Sequence, residues 1–255
     1  MIELNTIYNE NCISENLNEG MNRIPDKSID MILCDLPYGT TQNKWDSIIP
    51  LDRLWKQYRR IIKDNGAIVL TSSQPFTTKL VGSNLKMWKD ILVWDKISTT
   101  GFLNAKRRPL RRHEDILIFY KKQPTYNPQM EIRGKPRNKG LYDKRKGDGD
   151  SCYGKFENVK SFNNEYYPTS IVQFSNANQK DKIHTTQKPV PLFEYLIKTY
   201  TNKGETVLDN CTGSGTTAIA CINTERKYLV FEQNKEIYKT AKKRIEAHTK
   251  QRRLF

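Results

Sequence analysis

The chain has 255 residues, 36% of them hydrophobic, and its 43 Lys and Arg against 28 Asp and Glu give a net charge of +15. That length supports one large domain, or a domain with a substantial insertion, around a core that needs no covalent staples, and the cationic excess points to a polyanion, nucleic acid ahead of membrane. No apolar run approaches the roughly 20 residues of a membrane helix and no basic-then-apolar leader opens the chain, so the expected location is the cytoplasm; Cys12, Cys34, Cys152, Cys211 and Cys221 are odd in number, widely spaced and without a C-x-x-C pair, which argues against a disulfide framework and a zinc site.

Short apolar runs bounded by turn residues predict buried strands at Ile29–Cys34, Ala67–Leu70, Ile91–Trp94, Ile116–Tyr120, Val207–Leu208 and Tyr228–Phe231. Three- and four-residue spacing predicts helices through Leu51, Leu54, Trp55, Tyr58, Ile61 and Ile62, through Leu192, Tyr195, Leu196 and Thr199, and through Ile237, Tyr238, Ala241 and Ile245. Strands alternating with amphipathic helices indicate an α/β fold on a mainly parallel sheet. The first of these strands runs into "ILCDLPYGTTQNKWD", from Ile32 to Asp46. An apolar strand that stops at a carboxylate, a stiffening proline and an aromatic ring can hold a small planar group at its end; an ordinary strand followed by a turn would read the same way.

The middle of the chain breaks the rhythm. From 121 to 182 the sequence is rich in Lys, Arg, Asn, Gly, Pro and Tyr, and no helical period survives. Its composition allows a disordered loop, but the aromatics Tyr126, Tyr142, Tyr153, Phe156, Phe162, Tyr166, Tyr167 and Phe174 favour an inserted, partly ordered lobe. Between Lys96 and Lys182 there are 19 Lys and Arg against 9 Asp and Glu, so about a third of the chain holds two thirds of its net charge. This stretch is the expected phosphate-facing surface. It includes "NAKRRPLRRHED", with Lys106, Arg107, Arg108, Arg111 and Arg112, and the lobe residues Arg133, Lys135, Arg137, Lys144, Arg145 and Lys146.

After the lobe, "HTTQKPVPLFEYLI" places His184, Thr185, Thr186 and Lys188 ahead of a proline-initiated helix; taken singly, these would be ordinary surface residues. Then "ETVLDNCTGSGTTAIACI" runs a short strand into Asp209, a turn over Thr212, Gly213, Ser214 and Gly215, and a helix opening at Thr216 and Thr217. Glycines let a backbone approach a ligand closely, and a helix N-terminus offers N–H groups to an anionic group. About one strand later comes Glu232, an acid able to accept hydrogen bonds from ribose hydroxyls. The lysine of a P-loop is missing, so the site need not hold a triphosphate.

"DLPY", "HTTQKP" and "DNCTGSGTT" resemble the catalytic, helix-leading and cofactor motifs of the S-adenosylmethionine-dependent DNA amino-methyltransferases, and their order resembles the beta class. The resemblance covers both flanks, about 1 to 122 and 184 to the end. It implies a doubly wound, Rossmann-like methyltransferase sheet, circularly permuted in sequence, with S-adenosylmethionine as cofactor and no metal. It divides the chain into catalytic parts at 1–120 and 183–255 and a target-recognition lobe at 121–182. Residue reading and resemblance together assign the cofactor to Asn11, Cys12, Asp35, His184, Thr185, Thr186, Lys188, Asp209, Thr212, Gly213, Ser214, Gly215, Thr216 and Glu232. Asn11 stands where the family commonly has an acid beside the cofactor adenine.

The resemblance also implies that Asp35, Leu36, Pro37 and Tyr38 act on the exocyclic amine of a base flipped out of double-stranded DNA. The family's usual form of this motif is D-P-P-Y, so Leu36 is a departure, one that keeps the backbone carbonyl and loses some stiffness. Asp at the first position resembles members that modify adenine N6 more than those that modify cytosine N4. The rival readings are a cytosine N4 enzyme, a DNA-binding module that keeps the fold without transfer, and a methyltransferase for a protein glutamine or an RNA base. Cytosine C5 methylation needs a nucleophilic thiol, usually in a Pro-Cys pair, and no cysteine here follows a proline. A homodimer and a cognate restriction enzyme are further partners that the resemblance allows.

Overall fold

A computed structural model describes residues 2–39, 46–139, 160–176 and 187–252. His184, Thr185, Thr186, Lys144, Arg145, Lys146 and Cys152 lie outside the described residues. In chain order the strands are β1 Thr6–Tyr8, β2 Ile29–Asp35, β3 Ile62–Ser72, β4 Trp88–Thr100, β5 Arg111–Phe119, β6 Glu131–Lys139, β7 Ser161–Tyr166, β8 Ile171–Gln173, β9 Thr206–Asp209 and β10 Lys227–Phe231. The helices are α1 Leu51–Ile61, α2 Phe76–Gly82, α3 Val190–Tyr200, α4 Thr216–Thr224 and α5 Lys235–Arg252.

The main sheet has the order β1-β10-β9-β2-β3-β5-β4-β8. Its left half, from β1 to β3, is parallel, whereas β5 runs antiparallel to both β3 and β4. Side chains alternate across each strand, and β2 shows the result. Met31 and Leu33 pack with Leu192, Leu196, Ala218, Ile219 and Ile245 of α3, α4 and α5. Ile32 and Cys34 pack on the opposite face with Leu54, Trp55, Tyr58, Phe76 and Leu80 of α1 and α2. Burial on both faces explains why the parallel strands read as continuous apolar runs rather than alternating ones.

Helix α1 follows its sequence period: Leu54, Trp55, Tyr58 and Ile61 are its buried face, Asp52 lies in the first turn, and Arg59 and Arg60 in the last, as the helix dipole favours. The helix ends at Ile61, and Ile62, which the spacing adds to it, instead opens β3. Register places β2 beside β9 through Met31↔Val207 and Ile32↔Leu208, so segments more than 170 residues apart end side by side. Strand order reverses here, and in open α/β sheets the crevice beyond such strand ends is where ligands bind.

The chain separates into a larger unit, Met1–Asn127 with Ser170–Phe255, and a smaller one, Pro128–Thr169. The smaller unit is narrower than the stretch that composition sets apart, because β8 pairs with β4 and the Asn127 amide donates to the carbonyls of Lys198 and Thr201. It carries the antiparallel hairpin of β6 and β7. Within it the Tyr166 ring meets Arg133, Arg137 and Lys139, whose charges lie 5.2, 5.4 and 3.8 Å from the ring centroid. No helix among the described residues is long and apolar enough to cross a membrane.

Candidate active site

Strands β2 and β9 deliver Asp35 and Asp209 to one cleft of about 470 Å³ in the larger unit. This size suits a small organic ligand. The cleft is lined at one side by Asp35, Leu36, Pro37 and Tyr38, at the other by the Thr212–Ser214 turn, Thr216 and Glu232, and by Lys188. Asn11 and Cys12 line it as well.

At the β2 end, three donors converge on one carboxylate. Asp35 Oδ1 accepts from the Tyr38 hydroxyl at 2.8 Å and from the Thr71 hydroxyl at 2.5 Å. Its Oδ2 accepts from Lys188 Nζ at 2.8 Å. A carboxylate offers about four lone-pair positions, so among the described residues one remains, on Oδ2. Lys188 is buried and also pairs with Glu114 Oε2 at 3.2 Å, while Lys96 reaches Glu114 Oε1 at 3.3 Å. Burial works against the Lys188 ammonium, yet Asp35 and Glu114 outweigh it and raise its pKa. Burial likewise opposes the Glu114 carboxylate, and Lys188 and Lys96 still hold it below the usual range. Burial, reinforced by Asp35 and Glu114, pushes the Tyr38 hydroxyl well up, so it stays a neutral donor. The Tyr38 ring lies against Phe76, with centroids 5.5 Å apart and an interplanar angle of 24°.

At the β9 end, the turn is built by glycines in the left-handed region. Gly213 has φ +52° with nothing within 4 Å of an added Cβ, and Gly215 has φ +81° with Ile245 Cδ1 2.9 Å from one. The first would therefore project a side chain into open space, and the second would collide with α5. Gly215 caps α4, whose Thr217 donates to Asp209. Burial pushes the Asp209 carboxyl up to about 6, against the hydrogen bonds from Thr217 and the Cys211 N–H. Glu232, just past β10, accepts from the Gly213 N–H at 3.1 Å and the Asn234 N–H at 2.8 Å, and burial raises it too.

These residues fit S-adenosylmethionine. The buried Thr212 hydroxyl has no hydrogen-bond partner among the described residues and lines the cleft. Glu232 lines the cleft with a carboxylate able to accept hydrogen bonds, and open space faces Gly213. The N-terminal segment carries an acid one residue before Asn11. Glu10 lines the cleft beside Asn11, its carboxylate held by the Gly20 N–H at 2.7 Å and Arg23 at 2.6 Å.

Sequence reading did not single out Glu10, Thr71, Lys96 or Glu114. A buried-acid signal exists for Glu114, which sits between a basic cluster and an apolar strand, but its partners come from distant segments. Three cysteines that are far apart in sequence also meet: the Asn210 amide donates to Cys12 Sγ at 3.5 Å and Cys211 Sγ at 3.3 Å, and the buried Cys34 packs in the same cluster. Of the basic cluster, Lys106, Arg107 and Arg108 are exposed. Arg111 donates to Ser73 at 2.7 Å, and Arg112 makes a two-point pair with Asp95 at 2.7 and 2.8 Å.

The chain matches the family described as DNA methylase over residues 29–243. It is 26% identical to the type II methyltransferase M.HpaI of Haemophilus parainfluenzae, over 92% of this chain and 74% of that protein. It is 26% identical to the DNA adenine methyltransferase YhdJ of Escherichia coli strain K12, over 96% of this chain and 83% of that one. Among solved structures, the complex of M1.HpyAVI with SAM superposes with a TM-score of 0.61 at 25% identity, covering 94% of this chain and 98% of the other. The cytosine-N4-specific PvuII DNA methyltransferase shares the fold, with a TM-score of 0.66 at 14% identity over 96% and 90% of the two chains.

Proposed function

Because the chain belongs to the DNA methylase family and uses S-adenosylmethionine as its cofactor, we propose that it methylates adenine N6 of a base flipped out of duplex DNA. The cofactor supplies an electrophilic methyl group on a sulfonium. Everything else is the work of this chain's residues. An exocyclic amine is a poor nucleophile because its lone pair is delocalised into the ring, and acceptors aimed at its hydrogens favour a pyramidal nitrogen and stabilise the charge that develops on it.

Asp35 Oδ2 and the Leu36 carbonyl are those acceptors. Lys188 donates to Oδ2 at 2.8 Å, and Tyr38 and Thr71 occupy the other oxygen and fix its orientation. The position on Oδ2 that the described residues leave open then faces the amine, and Pro37 holds the turn. Tyr38, backed by Phe76, offers its ring to the flipped base, for which aromatic stacking is a sequence-tolerant anchor. Glu232, Thr212 and the Gly213 turn hold the cofactor; Asp209 shapes that turn from below. Rate comes from positioning and charge stabilisation, with no covalent intermediate.

The observation that carries adenine over cytosine is the acid at position 35, tied into a network of partly buried charges at the end of β2; a relative at 26% identity named as an adenine methyltransferase supports it. The basic stretch from Lys96 to Lys182 is assigned to DNA, with the 121–182 lobe as target reader. Incubation with methyl-labelled S-adenosylmethionine and mixed-sequence duplex, followed by nucleoside analysis, tests this. Label in N6-methyladenine is expected. Label only in N4-methylcytosine moves the substrate to the other amine, and no label in DNA overturns the function.

A further inference from the structure

The hairpin of β4 and β5 ends in a loop that the reaction above does not use. Phe102 is 77% and Leu103 82% exposed, and Ile97, on the same hairpin, is 51% exposed with φ +66°. A β-branched residue in the left-handed region is costly and persists only where its surroundings hold it. The loop is not loose: the N–H groups of Asn104, Ala105, Arg107 and Arg108 bond back to the carbonyls of Gly101, Phe102, Asn104 and Asn104 at 2.9 to 3.0 Å. Two large apolar side chains are thus presented to water on an ordered turn. Exposed Lys106, Arg107 and Arg108 follow after Asn104 and Ala105.

The same hairpin reaches the catalytic cleft. Lys96, Thr100 and Glu114 line that cleft, and Thr100 pairs with Arg111 across the two strands. Phe102 is two residues beyond Thr100, so at most about 7 Å of extended chain separates them. A base drawn into the cleft would leave a gap in the stack near this tip. Apolar wedges inserted between base steps are a known means of stabilising unstacked duplex, and flanking cations hold the neighbouring phosphates.

We propose that Phe102 and Leu103 form a wedge that enters the duplex beside the target and stabilises the flipped state, with Lys106, Arg107 and Arg108 gripping the adjoining backbone. The inference rests on the proposed methylation of a flipped base. A solvated loop gains nothing from two adjacent exposed apolar residues; a surface that meets stacked bases does.

The test compares the parent with a Phe102→Ala, Leu103→Ala double variant by single-turnover methyl transfer on a duplex that the parent methylates, and on the same duplex with an abasic position opposite the target base. On the paired duplex the variant is expected to be slower by about tenfold or more, equivalent to about 1.4 kcal/mol, and to lose the fluorescence rise of 2-aminopurine placed at the target. Opposite the abasic position, where flipping costs less, its rate returns to within about twofold of the parent's. Equal rates on the paired duplex, or the same deficit on both duplexes, would overturn the wedge while leaving methylation intact. An equal deficit on both, together with a parent dimer that the variant dissociates, would assign Phe102 and Leu103 to a second copy of the chain instead. A parent that methylates no duplex would overturn the function and the wedge together.

Discussion

Replacing Lys188 by methionine removes a buried cation shared by two half-buried carboxylates, 2.8 Å from Asp35 and 3.2 Å from Glu114. At an effective dielectric near 20, each such pair at about 3 Å is worth about 5 kcal/mol before desolvation is subtracted, and breaking a buried pair typically costs about 3–5 kcal/mol. The loss has a ceiling, because the two acids can neutralise themselves by keeping one proton. Holding a carboxyl of ordinary pKa protonated at pH 7 takes about 2.7 units at about 1.36 kcal/mol each, so the variant should lose about 4 kcal/mol at most. For a chain of this size that corresponds to a fall in Tm of about 8–16 °C.

The pH dependence separates this origin from simple loss of packing. In the parent the raised Lys188 pKa makes its contribution complete below the unfolded lysine value of about 10.4, and therefore constant between pH 5 and 8. In the variant one carboxyl binds its proton more tightly when folded, so stability relative to the parent falls as pH rises across that interval. Urea unfolding at pH 5, 6, 7 and 8 reads the difference directly. A variant as stable as the parent at pH 7, or a deficit that does not grow with pH, would refute the charge network described for this site.

The remaining expectations concern the other side of the cleft and the basic surface. Gly213→Val adds a side chain at φ +52° that faces open cleft space, and Glu232→Ala removes the proposed ribose acceptor; calorimetry should show weaker S-adenosylmethionine binding in both with DNA binding retained, and normal cofactor affinity in Glu232→Ala would reduce that acid to a strand-end charge. Asp209 has its pKa raised by burial to about 6, so the parent should lose stability as pH rises from about 4 through 6; Asp209→Asn should flatten that interval in denaturant titrations, and an unchanged slope would contradict the assigned burial. Replacing Lys106, Arg107 and Arg108 by alanine should lower the log–log salt slope of DNA binding by about 0.9 for each phosphate no longer neutralised, whereas Arg112→Ala, whose charge is already paired with Asp95, should change it less; a triple variant that keeps the parent's slope would remove this cluster from the DNA surface.

The parts of the site legible from sequence are those whose chemistry is local. Asp35 to Tyr38 and Thr212 to Thr216 are short strand-to-turn segments in which residue type and neighbour order already encode geometry, and the apolar runs that feed them are buried on both faces. Glu114, Lys96 and Thr71 were not legible, because each acquires its meaning from partners brought by other strands; Lys188 and Asp35 are 153 positions apart. Glu10 illustrates a narrower limit, since its place at the cleft depends on bonds to Gly20 and Arg23, ten and thirteen positions away. The strands of the smaller unit escaped for another reason. Strand β6, EIRGKPRNK, is almost wholly exposed, so no buried face imposes an apolar period on it. Helix α2 is seven residues long, too short for its period to stand out. Ile62 shows propensity yielding to topology: it extends the apolar spacing of α1, but its register with Ile29 of β2 makes it a strand residue.

The central claim is that the carboxylate at the end of β2 is the acceptor that activates the target amine, and Asp35→Ala addresses it most directly. Single-turnover transfer should be measured alongside separate cofactor and DNA affinities and a denaturation curve. An interaction made chiefly in the transition state affects turnover far more than ground-state binding. The account predicts a folded variant that binds S-adenosylmethionine and DNA and transfers no measurable methyl group; near-normal transfer by that folded variant would contradict it.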